Sequence, residues 1–308
     1  MITIRSNSKG KNDFIDYLNA CKYTFVLSTT TNSSIIVYSD MYHKYKVVFS
    51  DGVYMSKKEM IVQRQLKKEI EKNTKGKDVK FSSDKKIHFF EFDSSLKYMV
   101  ETTGDCIDID NVMEMDITKA YYQTAFNLGY ISEKFFNKCL DLPKIIRLRL
   151  LGAIATKRIV ETYKNGKVVE MKIVEDLRMR DIWFHICYYV GKVMKQCSEA
   201  IQDYFIFYWV DGIYFQQHPK YNIHNDPTKQ IIQKIFQKNN LKFSINQLEK
   251  ISLQNLNDQI MLKCWKDGKV KSNFSVPHKK VKKYIFNPQH ELVHDLLAIF
   301  TRKLSRCN

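Results

Sequence analysis

Several kinds of segment are scarce or missing in this sequence, and each absence argues against a class of protein. No long uncharged apolar run occurs, which argues against a membrane span. Residues 1–11 are polar and basic and contain no apolar core of a secretion signal. The seven cysteines form no C-x-x-C pair, so we expect reduced thiols in a cytoplasmic protein. Only 10 glycines and 5 prolines interrupt 308 residues, so we expect long regular elements.

What the chain has in excess is positive charge. Lys and Arg number 50 against 33 Asp and Glu, which makes a formal net charge of +17 spread along the sequence. This excess favours a polyanionic partner, most often nucleic acid. An AT-rich genome that encodes much lysine is the alternative explanation. A hydrophobic fraction of 44% is sufficient for a folded core and argues against global disorder.

The hydrophobic pattern predicts an α+β chain. Strands are expected at 23–27, 34–38, 45–49, 87–92 and 112–116. Helices are expected at 56–73, 117–128, 132–140, 143–155, 181–201, 228–239 and 288–304. Hairpins are predicted at 157–174, 204–215 and 261–276, each around a turn that contains Asn-Gly or Asp-Gly.

Two acidic residues stand next to apolar strands. Asp116 ends one such strand and begins a helix, whereas Asp211 lies in a tight turn between two apolar strands. A buried charge is costly unless it binds a cation or a partner. Two such carboxylates on neighbouring strands are suited to Mg²⁺ (or Mn²⁺) in phosphoryl transfer. The alternative is that Asp116 is a helix cap and Asp211 a turn residue.

The order of these elements resembles a polymerase palm: strand–Asp–helix, basic helix, hairpin, long helix, strand–Asp–strand. Residues 116–121, D-I-T-K-A-Y, resemble motif A (D-x-x-S-L-Y-P) of family B DNA polymerases, chiefly the protein-primed type of phages and linear plasmids. Residues 208–212, Y-W-V-D-G, resemble motif C (Y-x-D-T-D-S), with Asp211 at the second acid and Trp209 at the first. The glycine that follows this acid, Gly212, is similar to what primer-independent members of the family have at that position.

The resemblance covers about residues 87–280 and implies an antiparallel, RRM-like palm sheet with helices on one face. Short helical fingers are expected at about 129–157. Residues 1–86 are expected to form an accessory α/β domain, and 281–308 a basic helix as a thumb remnant. The implied activity is Mg²⁺-dependent DNA synthesis from deoxynucleoside triphosphates on a DNA template and primer. The expected source is a phage or mobile element, with the bacterial host cytoplasm as location.

The resemblance also implies roles for individual residues. Asp116 and Asp211 would be the catalytic metal ligands. Tyr121, in motif A, would stack under the sugar and exclude a 2′-hydroxyl, although a core aromatic on a helix is an equally common reading.

Two further motifs match more loosely. Residues 147–155 follow the frame of motif B, so Arg147, Arg149 or the nearby Lys144 would hold the triphosphate. Residues 261–265, M-L-K-C-W, resemble the K-x-Y element, so Lys263 and Trp265 would contact nucleic acid. A solvated helix face and a basic edge strand explain the two segments equally well.

Alternative functions stay open at this point. No acidic exonuclease motifs are found, so the expected enzyme lacks proofreading. Its small size and Gly212 also fit a primase-like enzyme, and the departures in motif B fit a palm that only binds nucleic acid. The need for a replication partner protein is left open. His290, Glu291 and His294 spell H-E-x-x-H, a zinc peptidase pattern without a suitable third ligand downstream. Two histidines on a surface helix are the simpler reading.

Overall fold

The computed structural model describes residues 1–30, 33–50, 57–103, 106–222, 224–256, 259–277 and 283–286. Within these ranges the chain forms eight α-helices and fourteen strands in two sheets, which confirms the predicted α+β class. Two compact units are present: Met1–Lys68 with Pro143–Asp181, and Glu69–Leu142 with Ile182–Asn308. In the described part of the chain, no helix has the length and apolar content needed to cross a membrane.

The first unit contains a six-stranded sheet. Its strands are β1 (Ile2–Ser6), β2 (Phe25–Thr29), β3 (Ser34–Ser39), β4 (Lys44–Phe49), β7 (Arg158–Lys164) and β8 (Lys167–Val174). Their order is β1-β4-β3-β2-β7-β8, in which β1 and β4 pair in parallel and the other neighbours are antiparallel. The predicted hairpin at 157–174 is confirmed, and its turn residues Asn165 and Gly166 both have positive φ angles (51° and 74°).

The core of this unit lies between its sheet and α1 (Lys11–Ala20). Leu18 of the helix packs among alternate residues of the strands, such as Phe25 and Leu27 of β2. This period of two is what a strand with one buried face requires. The unit also contains α6 (Lys144–Gly152). Of the three chain boundaries between the units, one lies within α2 (Lys57–Thr74), one lies just before α6, and one lies within α7 (Leu177–Ala200).

The second unit contains an eight-stranded antiparallel sheet. Its strands are β5 (Ile87–Phe92), β6 (Ile107–Ile117), β9 (Phe205–Trp209), β10 (Gly212–Gln216), β11 (Phe243–Leu256), β12 (Gln259–Lys266), β13 (Lys269–Pro277) and β14 (Lys283–Phe286). Their order is β13-β12-β11-β6-β10-β9-β5-β14. The helices are α3 (Ser94–Thr103), α4 (Ala120–Asn127), α5 (Glu133–Leu140), α8 (Pro227–Lys238) and most of α7.

This sheet curls strongly. The ring of Phe274 in β13 lies 5.8 Å from the ring of Tyr214 in β10. Four strand spacings separate β13 from β10, which is about 19 Å in a flat sheet. The curl coincides with Asn111 of β6, whose φ is +56°. Ile109 is buried on one side of it and Val112 on the other, so the strict alternation of β6 is broken there.

Helix α7 approaches strand β5 very closely. A Cβ atom on Gly191 would lie 2.3 Å from the carbonyl oxygen of His88. No side chain fits at that distance, so a glycine is required where the helix crosses the strand.

The domain boundaries differ from those expected. Residues 1–86 were predicted as one accessory domain and 129–157 as fingers within the palm. Instead, 143–181 belong to the same unit as 1–68, because β7 pairs with β2 along Phe25–Thr29. Within 281–308, residues 283–286 form β14, paired with β5, and the helix predicted at 288–304 lies outside the described residues.

Candidate functional site

Asp116 lies near the end of the central strand β6. In the register of the sheet it pairs with Gly212 of β10 on one side and with Ser244 of β11 on the other. We call these three residues, Gly212, Asp116 and Ser244, the outer row. Asp116 itself is half-buried, so its carboxylate is neither sealed in the core nor fully in solvent.

Asp211 lies in the two-residue turn between β9 and β10. The turn is tight, because Trp209 and Gly212 are register partners on either side of it. The backbone N–H of Ile117 donates to the carbonyl oxygen of Asp211 at 2.9 Å. The structure therefore brings the two predicted acids to the same end of two adjacent strands.

The residue before Asp211 has an unusual backbone conformation. Val210 has a φ of +59°, which is rare for a β-branched residue. Its N–H donates to the carbonyl oxygen of Phe89 at 2.7 Å, which helps to hold this conformation. Backbone strain of this kind costs about 1–3 kcal/mol and is concentrated at functional sites. The strain thus adds to the reasons for regarding the turn as functional.

Tyr121, on α4, lies close to both acids. Burial raises the pKa of its hydroxyl well above the ordinary value, and the nearby Cys187, Asp211 and Asp116 raise this pKa further. The ring packs 5.3 Å from that of Trp183, and 4% of the residue is exposed. The phenol is therefore neutral and largely enclosed, and its role with a sugar stays a prediction.

Gly212 keeps space beside the first acid. A Cβ atom at this position would lie 3.1 Å from Oδ1 of Asp116, closer than most real contacts. The glycine therefore leaves room for the carboxylate of Asp116 beside β10.

A third carboxylate, with no motif in the sequence to mark it, lies two residues before Asp116 on β6. Glu114 is 8% exposed. It accepts hydrogen bonds from the hydroxyl of Tyr214 at 2.8 Å and from the amide of Asn246 at 3.0 Å, and it forms an ion pair with Lys271. Tyr214, Glu114 and Asn246 are cross-strand neighbours, which we call the inner row.

Aromatic rings close off the inner row. The rings of Phe207 and Tyr214 stack at 4.2 Å, and Phe274 of β13 packs edge-on against both. Burial, followed by the charge of Glu114, raises the pKa of Tyr214 well above its ordinary value. Glu114 is thus paired with the cation of Lys271 and hydrogen-bonded across both neighbouring strands, which favours a structural role. The signal available in the sequence was its position two residues before Asp116, on the same face of a strand.

Lys263 and Trp265, which match the K-x-Y element loosely, lie on β12. Between Lys263 and Trp265 lies Cys264, which is fully buried and has a pKa raised to about 12, first by burial and also by the charge of Glu114. Because alternate residues of a strand face opposite ways, Lys263 and Trp265 face away from Glu114. The indole N–H of Trp265 donates to the hydroxyl of Ser252 at 2.9 Å.

The remaining candidates belong to other parts of the chain. Lys144, Arg147 and Arg149 lie on α6 of the first unit, where Lys144 is exposed and Arg147 half-buried. His290, Glu291 and His294 lie outside the described residues.

The donor chemistry of Asp116 and Asp211 fits a hard divalent cation. Two half-buried carboxylates at one end of adjacent strands supply oxygen ligands, and Gly212 leaves one of them unobstructed. No group of three or more His, Cys, Asp or Glu side chains that could hold a metal occurs among the residues described here. Among these residues, Asp116 and Asp211 stay the candidate ligands.

Comparisons with known proteins add little. No family model and no curated protein matches the chain. Among solved structures, phi29 DNA polymerase complexed with single-stranded DNA is similar at a TM-score of 0.35 and 8% identity, over 92% of this chain and 82% of that chain. A similarity at this level carries no argument about function.

Proposed function

We propose that the chain is a template-directed nucleotidyltransferase, a DNA polymerase without proofreading. The observation that carries the proposal is the register of β6 and β10, which places Asp116 opposite Gly212 and the carbonyl of Asp211 on the N–H of Ile117. Two carboxylates at one end of adjacent antiparallel strands are the arrangement that cation-assisted phosphoryl transfer needs.

Asp116 and Asp211 would hold Mg²⁺ (or Mn²⁺). When bound, the cation supplies electrostatic stabilisation to the triphosphate and to the attacking oxygen. In the proposed reaction, a primer 3′-hydroxyl attacks the α-phosphate of a deoxynucleoside triphosphate and pyrophosphate leaves. The turn at Val210 and the glycine at position 212 orient the two carboxylates, and the neutral Tyr121 borders them without adding charge.

The basic side chains would bind phosphates. Lys263 and Trp265 are proposed contacts to the nucleic acid, and a triphosphate role for Lys144, Arg147 and Arg149 stays only what the resemblance to motif B implies. The formal net charge of +17 supports a polyanionic substrate. Binding to DNA should therefore weaken steeply as the salt concentration rises. A phage or mobile element as the source, and the start of a strand without a primer, belong to the same proposal.

The test is incorporation of labelled deoxynucleotides on a primed template with Mg²⁺ or Mn²⁺. We expect Asp116→Asn and Asp211→Asn each to reduce incorporation by about 100-fold or more, since each removes a ligand of the transition-state charge. Asp110→Asn is the matched control, because Asp110 is an exposed acid on the same strand. Parallel reactions without a primer test strand initiation.

Two results would contradict the proposal. One is full incorporation by both site variants. The other is wild-type protein that incorporates nothing with either cation, while it still binds single-stranded DNA with steep salt dependence, which would indicate a palm that only binds.

A further inference from the structure

Strand β8 is an edge of the six-stranded sheet, and its apolar side chains are in solvent. Among the residues that the structure describes, the sheet order ends at β8, and the strand pairs there with β7 alone. Val169, Met171 and Ile173 are 58%, 68% and 60% exposed. An edge strand presents a row of N–H and C=O groups that can pair with another strand, and exposed apolar side chains favour that pairing.

The residues of β8 are complementary to themselves when two copies run antiparallel. Residues 168–174 read V-V-E-M-K-I-V, with Met171 at the centre. If Met171 lies opposite Met171 of a second copy, then Glu170 lies opposite Lys172 of that copy, and Lys172 opposite Glu170. The next pairs outward, Val169 with Ile173 and Val168 with Val174, are both apolar. Opposite charges and apolar pairs across an antiparallel ladder are each stabilising.

We propose that two copies of this chain pair through β8, with a twofold axis at Met171. Such an interface is isologous, so every favourable pair occurs twice. It would join two six-stranded sheets into one continuous sheet, and it would pair the backbone groups along the outer side of β8.

The geometry of β8 permits this pairing. Against β7 the strand slips by one residue at Val169, between the pairs Thr162–Glu170 and Tyr163–Val168. From Glu170 to Val174 the register is regular, so the three central pairs of the proposed interface lie in regular strand. Lys172 reaches Glu170 of its own chain at 3.8 Å, with both side chains more than half exposed. Such a contact contributes little, so both charges can pair with the second copy.

The opposite edge of the sheet does not share this pattern. Strand β1 also exposes Ile2 and Ile4. Antiparallel pairing about Ile4 would place Thr3 opposite Arg5 and would form no pair of opposite charges. Strand β1 therefore supplies a matched control.

The experiment measures association of the purified chain by sedimentation velocity over a concentration series. We expect the wild type to form dimers, and Glu170→Lys and Lys172→Glu each to weaken the dimer about tenfold, because both charge pairs become repulsive. An equimolar mixture of the two variants should recover wild-type association, since each then meets its opposite charge. Ile4→Lys should leave association unchanged, and circular dichroism should be the same for all variants.

Three results would overturn the proposal. They are a wild type that stays monomeric throughout the series, single variants that associate as the wild type does, and a mixture that associates no better than its components. Loss of association in Ile4→Lys alone would assign the interface to β1 instead.

Discussion

The inner and outer rows of the eight-stranded sheet each contain one carboxylate, and the two carboxylates are two residues apart on β6. Their surroundings differ. Glu114 of the inner row is met by a hydroxyl, an amide and an ammonium group. Asp116 of the outer row has Gly212 and the exposed Ser244 as its cross-strand neighbours. The comparison teaches that position along a strand does not by itself decide the surroundings of an acid. The side chains on the two neighbouring strands differ between the rows, and so do the groups around each carboxylate.

The largest expected effect comes from removing the cation of the inner row. Lys271→Met leaves Glu114 charged and enclosed, so we expect the free energy of unfolding to fall by about 2–3 kcal/mol. Urea denaturation of wild type and variant measures this change. Lys269→Met is the control, because Lys269 is exposed on the same strand. Equal effects of the two substitutions would show that Glu114 is not neutralised by Lys271.

The next prediction tests Asp116 and Asp211 as a cation site. Because a ligand that binds only the folded state stabilises it, saturating Mg²⁺ or Mn²⁺ should add about 1–3 kcal/mol to the wild type. Asp211→Asn should remove this gain, and Asp110→Asn should keep it. Thermal melts across a cation titration measure the difference. A gain that survives in Asp211→Asn would place the cation elsewhere.

A smaller effect is expected when only the hydroxyl of Tyr214 is removed and its ring is kept. Tyr214→Phe removes one donor to Glu114 and should cost about 1–2 kcal/mol at neutral pH. The pKa of Tyr214 is raised in the folded chain, so the unfolded chain loses this proton first as the pH rises above about 10. The wild type therefore loses stability there, and the variant should lose less. Urea denaturation at pH 7 and at alkaline pH checks both parts, and equal alkaline losses would contradict them.

The smallest effect on stability is expected at Gly212. Its φ is not in the left-handed region, so the one close contact that Gly212→Ala introduces is with Asp116, and the free energy of unfolding should change by less than about 1 kcal/mol. Because the carboxylate must move, incorporation should fall about tenfold. Incorporation kinetics beside urea denaturation separate the two quantities. Unchanged kinetics would mean that the position of Asp116 tolerates the methyl group.

Local signals in the sequence were sufficient for many elements. The strand at 87–92 agrees with β5, and the hairpins around 165–166 and 267–268 form where predicted. These signals lie within a few neighbouring residues, as turn chemistry and periodicity do. Asp116 and Asp211 are recognisable for the same local reason, since each stands at the end of an apolar run in the sequence, and their role as metal ligands stays a prediction.

Elements whose pattern depends on distant neighbours were missed. Strand β11 is mixed in polarity, yet it pairs with β6 on one side and β12 on the other over much of its length. Its burial shifts from Leu248 to Ile251, where the sheet curls, so no constant period is visible. The partners of Glu114 are 100, 132 and 157 residues away from it, beyond the reach of any local pattern.

By itself, the sequence determined the mixed class of the chain, its excess of positive charge, and the two acids that its strands end on. The tertiary structure alone decided that β6 and β10 are neighbours, so that these acids lie at the same end of adjacent strands. It also decided that Glu114 forms an ion pair with Lys271, that Asp116 is half-buried beside a glycine, and that β8 is an edge strand of its sheet. The physical reason is that strand order and register bring together residues that are far apart in the sequence.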